Sequence, residues 1–172
     1  KGYSIVHYCI SSEFSSCYQN ACAAAEEFPN VYVVDSRNLS TGHGHIVIEA
    51  AQLAAQGLAP DEICARLNEL TGKVEASFLL DRLDYMVKGG RCSSAAALGA
   101  NLLHLRPCIE VIDGKMRVVK KYRGPYNKCI HDYVVERLTN RDDLRGDRIF
   151  ITHAAAEPDT VETAREAIAQ CH

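Results

Sequence analysis

The sequence predicts an α/β chain in two parts: a partial parallel-sheet α/β/α domain over residues 1–58, then a two-layer α+β domain with a mixed sheet over residues 59–172. Three observations carry this. Before residue 57, short β-branched apolar runs alternate with segments whose apolar residues recur at helical spacing, the order of a parallel sheet with crossover helices. Gly57 and Pro60 then interrupt that order. Farther on, two alternating segments flank Asp113-Gly114, a two-residue loop that marks a β-hairpin and makes the second sheet at least partly antiparallel.

Taken in order, Ile5–Ile10 is a nearly continuous apolar run ended by Ser11-Ser12 and reads as a strand. From Ser15 to Glu27, Tyr18, Cys22 and Ala25 recur at helical spacing until Pro29-Asn30 stop the pattern. Val31–Val34 is a second strand closed by Asp35-Ser36, and Arg37–Gly44 reads as a polar loop. Ile46, Ala50 and Leu53 then share one helix face, with Gly57 where a C′ glycine belongs. Pro60-Asp61 open a helix carrying Ile63, Leu67 and Leu70, with Gly72 as its terminator. Val74–Leu80 reads as a strand, Arg82–Lys88 as a short helix running into Gly89-Gly90, and Ser93–Leu103 as a helix of small residues. The hairpin strands are Leu105–Ile112 and Lys115–Tyr122, and the Asp-Gly turn between them needs φ > 0 at both positions. A helix with Tyr126, Cys129, Ile130 and Tyr133 on one face follows, then a strand at Arg148–Thr152 and a last helix from Pro158.

Composition narrows the function. Nineteen Lys and Arg against 22 Asp and Glu leave a formal charge of −3, which argues against a dedicated nucleic-acid binder that needs a basic face. An apolar content of 47% and 24% charged residues describe a foldable chain rather than a disordered one. No apolar run approaches the ~18 residues of a membrane span, and residues 1–10 lack the features of a signal peptide. Eight cysteines without a C-x-x-C pair read as buried free thiols in a reducing, cytoplasmic setting.

Three loops rich in hydroxyls and glycine could carry chemistry. Ser11–Ser16 lies at the carboxyl end of a predicted parallel strand, where open α/β sheets place ligands. Its hydroxyls and the free N–H groups of the next helix could hold an anion, or simply cap that helix. In the loop from Asp35 to Gly44 the glycines allow close backbone approach. His43 and His45 diverge on a helix and lack further ligands, so no metal is expected there. Lys88–Ser94 sets Arg91 beside a predicted helix start with Ser93, and an arginine fork suits carboxylate or phosphate, although a surface arginine on a turn fits the same pattern. No G-x-S-x-G elbow is present, Cys92 reads as packing rather than nucleophile, His153 as structural, and no general base stands out.

Four segments together resemble the bacterial DegV family: S-S-E-F-S-S-C-Y-Q-N-A from Ser11, V-V-D-S-R-N-L-S-T-G-H-G from Val33, L-D-Y-M-V-K-G-G-R-C-S from Leu83, and L-R-P-C-I-E-V-I-D-G-K from Leu105. The resemblance runs from about Tyr3 to the end of the chain. It implies binding of a long-chain fatty acid between two domains, with the carboxylate on Ser12 or Ser15, supported by Ser11, Arg91 and Ser93. Some members of that family present the bound acid to a separate fatty acid kinase subunit, so the chain itself would need no general base, metal or cofactor and would not be an enzyme. Burying about 14 methylenes at about 0.8 kcal/mol each is a gross gain of about 11 kcal/mol before the costs of association.

Phe14, Ser16 and Cys17 stand where the family usually has Leu, Gly and Thr, and Cys92 where it has Ile. The family's preceding T-S-x-P-S stretch and its closing H-x-G-P-G segment have no counterpart here, so the chain is expected to be incomplete, with an open edge on its first sheet. Two other readings fit the same loops: an enzyme acting on a small phosphorylated or carboxylated metabolite, and an interaction module that has lost ligand binding.

Overall fold

In a computed structural model the chain is described over residues 2–93 and 105–171. It divides into two compact units, one of Lys1–Ala76 with Glu110–Met116, the other of Ser77–Ile109 with Arg117–His172. The architecture is mixed α/β, as the sequence predicts, with a parallel two-stranded sheet and an antiparallel three-stranded one.

The first unit begins with strand β1 (Ile5–Cys9), helix α1 (Cys17–Ala25), strand β2 (Val31–Asp35) and helices α2 (Ser40–Ala55) and α3 (Pro60–Thr71). Strands β1 and β2 pair in parallel from Ile5 against Val31 to Cys9 against Asp35, so both strands end at one rim of the sheet. Val34, Ile46, Leu53, Ile63 and Leu67 form the core, with Val6 and Tyr8 of β1 packed against it. Ile63, Leu67 and Thr71 lie four residues apart and therefore on one face of α3, which is the face buried. Pro60 at the start of α3 has no N–H to leave unsatisfied, and the Glu62 carboxylate accepts the Ala59 N–H at 3.4 Å. Helix α3, which the sequence reading assigned to the second domain, thus packs into the core of the first unit.

Strand β3 (Ser77–Leu79), helix α4 (Asp84–Gly89), strands β4 (Leu105–Ile112) and β5 (Lys115–Arg123) and helices α5 (Tyr126–Leu138) and α6 (Pro158–Cys171) follow. β4 lies between β3 and β5. The Val111 N–H donates to Ala76 O at 2.9 Å and the Leu80 N–H to Pro107 O at 3.1 Å, a register in which β3 runs antiparallel to β4. In the second unit Leu79, Cys108, Tyr122 and Cys129 cluster, and Val134, Ala164 and Ala167 seal α5 against α6. Asn127 ties those two helices further, donating to Asp159 Oδ2 at 2.8 Å and accepting from the Thr160 hydroxyl at 2.6 Å.

The hairpin turn is as expected, with φ of 52° at Asp113 and 78° at Gly114. Two further expectations fail. Residues 148–152 belong to neither sheet, and Ile149, Phe150 and Ile151 are each 39% exposed. An apolar run invites strand pairing, but pairing is decided by which backbone edges the fold brings alongside it. The loop expected to reach Gly44 ends at Leu39, because Ser40 to Gly44 already form the start of α2. The small-residue helix expected over Ser93–Leu103 falls, beyond Ser93, outside the described residues.

Tyr122 is buried and donates its hydroxyl hydrogen to Glu136 Oε2 at 2.8 Å, and Lys120 also bonds that carboxylate. Lys120 first and Tyr122 second hold the Glu136 carboxyl below its usual range, while burial and then the Glu136 hydrogen bond push the Tyr122 phenol up. A depressed carboxyl stabilises the fold fully above its unfolded value and loses that contribution as pH falls through the folded one. Glu136→Gln is therefore expected to flatten the loss of thermal stability on acidification below about pH 5, measured as the melting midpoint against pH beside wild type.

Candidate functional site

At the rim where β1 and β2 end, the two following loops are stitched together by buried polar groups. Ser11, Ser36 and Asn38 are at most 1% exposed, and groups at that depth must be hydrogen-bonded or cost ~1–3 kcal/mol each. The Ser11 N–H donates to Asn38 O at 2.9 Å, and the Ser36 N–H to Cys9 O at 3.1 Å. The Ser36 hydroxyl donates to Asn38 O at 3.2 Å. Asn38 uses its amide for the Val74 carbonyl at 3.2 Å and its side-chain oxygen for the Leu39 N–H at 3.0 Å.

The third wall is the tip of the β4–β5 hairpin. The Ser11 hydroxyl donates to Gly114 O at 2.7 Å and accepts the Glu13 N–H at 3.3 Å. Lys115 pairs with the Glu13 carboxylate at 3.1 Å. Gly114 is required twice over, by its positive φ and because a Cβ there would stand 2.7 Å from Ser11 Oγ. Gly42, in the first turn of α2, is required by proximity alone, since its Cβ would meet Asn38 Oδ1 at 2.1 Å. The expected close backbone approach is therefore real, and the neighbour is Asn38.

Asp35 completes the arrangement. One of its carboxylate oxygens accepts the Ser12 N–H at 3.2 Å and the Arg37 N–H at 2.9 Å. Ser12 is half-buried, and among the described residues no hydrogen bond engages its hydroxyl. Ser15 accepts the Cys17 N–H at 3.2 Å and donates to Cys17 Sγ at 3.0 Å, so its hydroxyl sits at the start of α1. Ser11, Ser12 and Ser15 are thus on one loop in the first unit, with different duties. Ser11 donates its hydroxyl hydrogen to the Gly114 carbonyl, Ser15 serves the helix start, and Ser12 keeps its donor available.

Arg91 and Ser93 belong to the second unit, and both are exposed. Gly90 closes α4 in the left-handed conformation, φ 67°, and the Arg91 guanidinium folds back on Gly89 O at 2.7 Å. Cys92 is buried, in keeping with packing. His153 is exposed, and its Nδ1 accepts the Ala156 N–H at 3.3 Å within a local turn. His43 stands 6.4 Å, ring to ring, from Tyr8, and burial, with His7 second, pulls its imidazole below its usual value. Burial and then Cys64 push the Tyr8 phenol up to about 12. Among the described residues no three His, Cys, Asp or Glu side chains cluster in a way that could hold a metal ion.

Sequence reasoning missed Asp35, Ser36 and Asn38 as the frame of the site. The signal available was D-S-x-N directly after a strand, a run of residues that hydrogen-bond their own backbone.

The DegV family, described as uncharacterised, matches residues 1–172. A DegV domain-containing protein of Clostridium acetobutylicum is 37% identical over 147 residues, covering 83% of this chain and 53% of its own length. A solved DegV protein of Thermus thermophilus, described by its fatty acid binding, is 28% identical with a TM-score of 0.69 over 78% of this chain and 48% of its own. A solved fatty acid binding DegV protein of Streptococcus agalactiae is 26% identical with a TM-score of 0.76 over 98% of this chain and 60% of its own. The chain spans about half the length of the curated relatives it matches.

Gly114→Ala combines a left-handed alanine with a 2.7 Å approach to Ser11 Oγ, and Ser11→Ala leaves the Gly114 carbonyl and the Glu13 N–H without their partner. Urea unfolding is expected to show a loss of about 1–3 kcal/mol for Ser11→Ala and a larger loss for Gly114→Ala.

Proposed function

Because this chain belongs to the DegV family, we propose that it binds a long-chain fatty acid by its carboxylate, with the Ser12 hydroxyl as the donor in the first unit. The observation that carries this reading is the state of Ser12. Its amide is held by Asp35, its position follows a strand's carboxyl end, and its hydroxyl is uncommitted among the described residues. A carboxylate accepts hydrogen bonds only, so it suits a hydroxyl with a proton to give. Ser15 lies at the N-terminus of α1, whose end carries a partial positive field. Solved relatives at 26–28% identity are described by fatty acid binding, which supports the ligand class.

In this reading Ser11 acts as a positioning residue. Its hydroxyl donates to the Gly114 carbonyl, and its oxygen fixes the Glu13 amide next to Ser12. Arg91 and Ser93 are proposed as ligand residues of the second unit, and there Arg91 would have to leave the Gly89 carbonyl. The chain supplies binding rather than catalysis, and a separate fatty acid kinase subunit is proposed to phosphorylate the presented acid. A cytoplasmic setting fits eight free cysteines and the observation that, among the described residues, no helix is long and apolar enough to cross a membrane.

Native mass spectrometry of the purified protein with lipid extraction tests the ligand class. A bound C14–C18 acid, or uptake of one on addition, is expected, and failure of both overturns the reading. Ser12→Ala should weaken acid binding by about 1–3 kcal/mol. Phosphate release from a metabolite panel by the isolated protein would instead favour an enzyme. Arg91→Ala, tested separately, is expected to lower acid affinity, and an unchanged value removes Arg91 from the head-group set.

A further inference from the structure

We propose that Arg37, a residue of the β2–α2 loop, is the cation that meets the ligand's carboxylate at Ser12. The inference rests on the fatty-acid reading and deepens it by naming the charge partner of that site. Placement is the first ground. Its N–H and the Ser12 N–H share Asp35 Oδ1, at 2.9 and 3.2 Å, so the two residues are held side by side by one oxygen. Its Cβ lies 3.7 Å from the point where a Gly114 Cβ would be, next to the Ser11 hydroxyl at 2.7 Å and Glu13 Cγ at 3.5 Å. The side chain therefore leaves the backbone at the wall of the serine loop.

The backbone of Arg37 is the second ground. It has φ 49°, the left-handed region in which a side chain costs energy and glycine does not. Nothing in the packing demands an arginine, since the residue is exposed and its amide would serve Asp35 with any side chain. A long cation at a left-handed position beside an available hydroxyl is the charge this proposal assigns to the ligand.

The third ground is charge pairing. Glu13, the neighbouring carboxylate, is paired with Lys115. Arg82, Arg106, Arg141 and Arg145 are paired with Asp81, Asp84, Asp143 or Asp147. Among the described residues no hydrogen bond or ion pair engages the Arg37 guanidinium. A guanidinium offers two parallel N–H groups to a carboxylate, and the Ser12 hydroxyl can add a third donor.

The test uses the protein with a C16 fatty acid and its methyl ester, which keeps the acyl chain and removes the charge. Arg37→Ala and Arg37→Gly are expected to weaken acid binding about ten- to hundredfold and to leave ester binding unchanged. Arg37→Lys should recover part of the loss. Arg37→Gly, relieved of the left-handed side chain, should melt at or above the wild-type temperature, so its weaker binding would not reflect a weaker fold. Acid affinity within twofold of wild type in both the Ala and the Gly variant overturns the proposal. A parallel loss of acid and ester affinity also overturns it, because that pattern belongs to a structural residue. Wild-type protein that binds neither probe overturns the fatty-acid reading, and this inference with it.

Discussion

Ser11, Ser36 and Asn38 are buried as deeply as the leucines of the core, yet each carries polar atoms that must be satisfied without water. That requirement decides the paths of the two loops at the sheet rim. Asn38 spans from its own loop to the Val74 carbonyl after α3, and Ser11 spans from β1 to the hairpin tip 103 residues away. Glycine at 42 and 114 is the steric counterpart of this network, since a Cβ at either position would drive into a buried oxygen. Once the buried groups are paired with each other, what remains at the rim is a half-buried serine hydroxyl held in place by its neighbours.

In the proposed reading the loops offer hydroxyls and guanidinium groups to one carboxylate. Retaining a fatty acid needs apolar burial for the acyl chain and directed donors for one carboxylate. Asp35 spends its oxygens on the Ser12 and Arg37 amides and so acts as a clamp on the loops. In the proposed reading such a site holds a carboxylate, and phosphoryl transfer to it would fall to a separate partner.

Much of the fold was legible because its signals are local. Pro60 at the first turn of α3, Ile63 and Leu67 on one helical face, and Asp113-Gly114 between alternating segments each state a conformation within a few residues. The serine loop could be found as a loop for the same reason. What could not be read was how the serines divide their work, because the partner that occupies the Ser11 proton is a backbone carbonyl far along the chain. The Ile149–Ile151 run misled for the complementary reason, since its β-branched character is local and strand pairing is not.

By itself the sequence determined the class, the order of most elements and the family, since periodicity, turn residues and motif order are properties of neighbouring positions. Only the tertiary structure decided which serine keeps a free donor, why glycine stands at 42 and 114, and that the Ser12 and Arg37 amides share one Asp35 oxygen. Those depend on backbone carbonyls and carboxylate oxygens meeting from separate segments at distances of 2.7–3.3 Å. Hydrogen bonding at that range is set by the assembled fold, and no spacing along the chain encodes it.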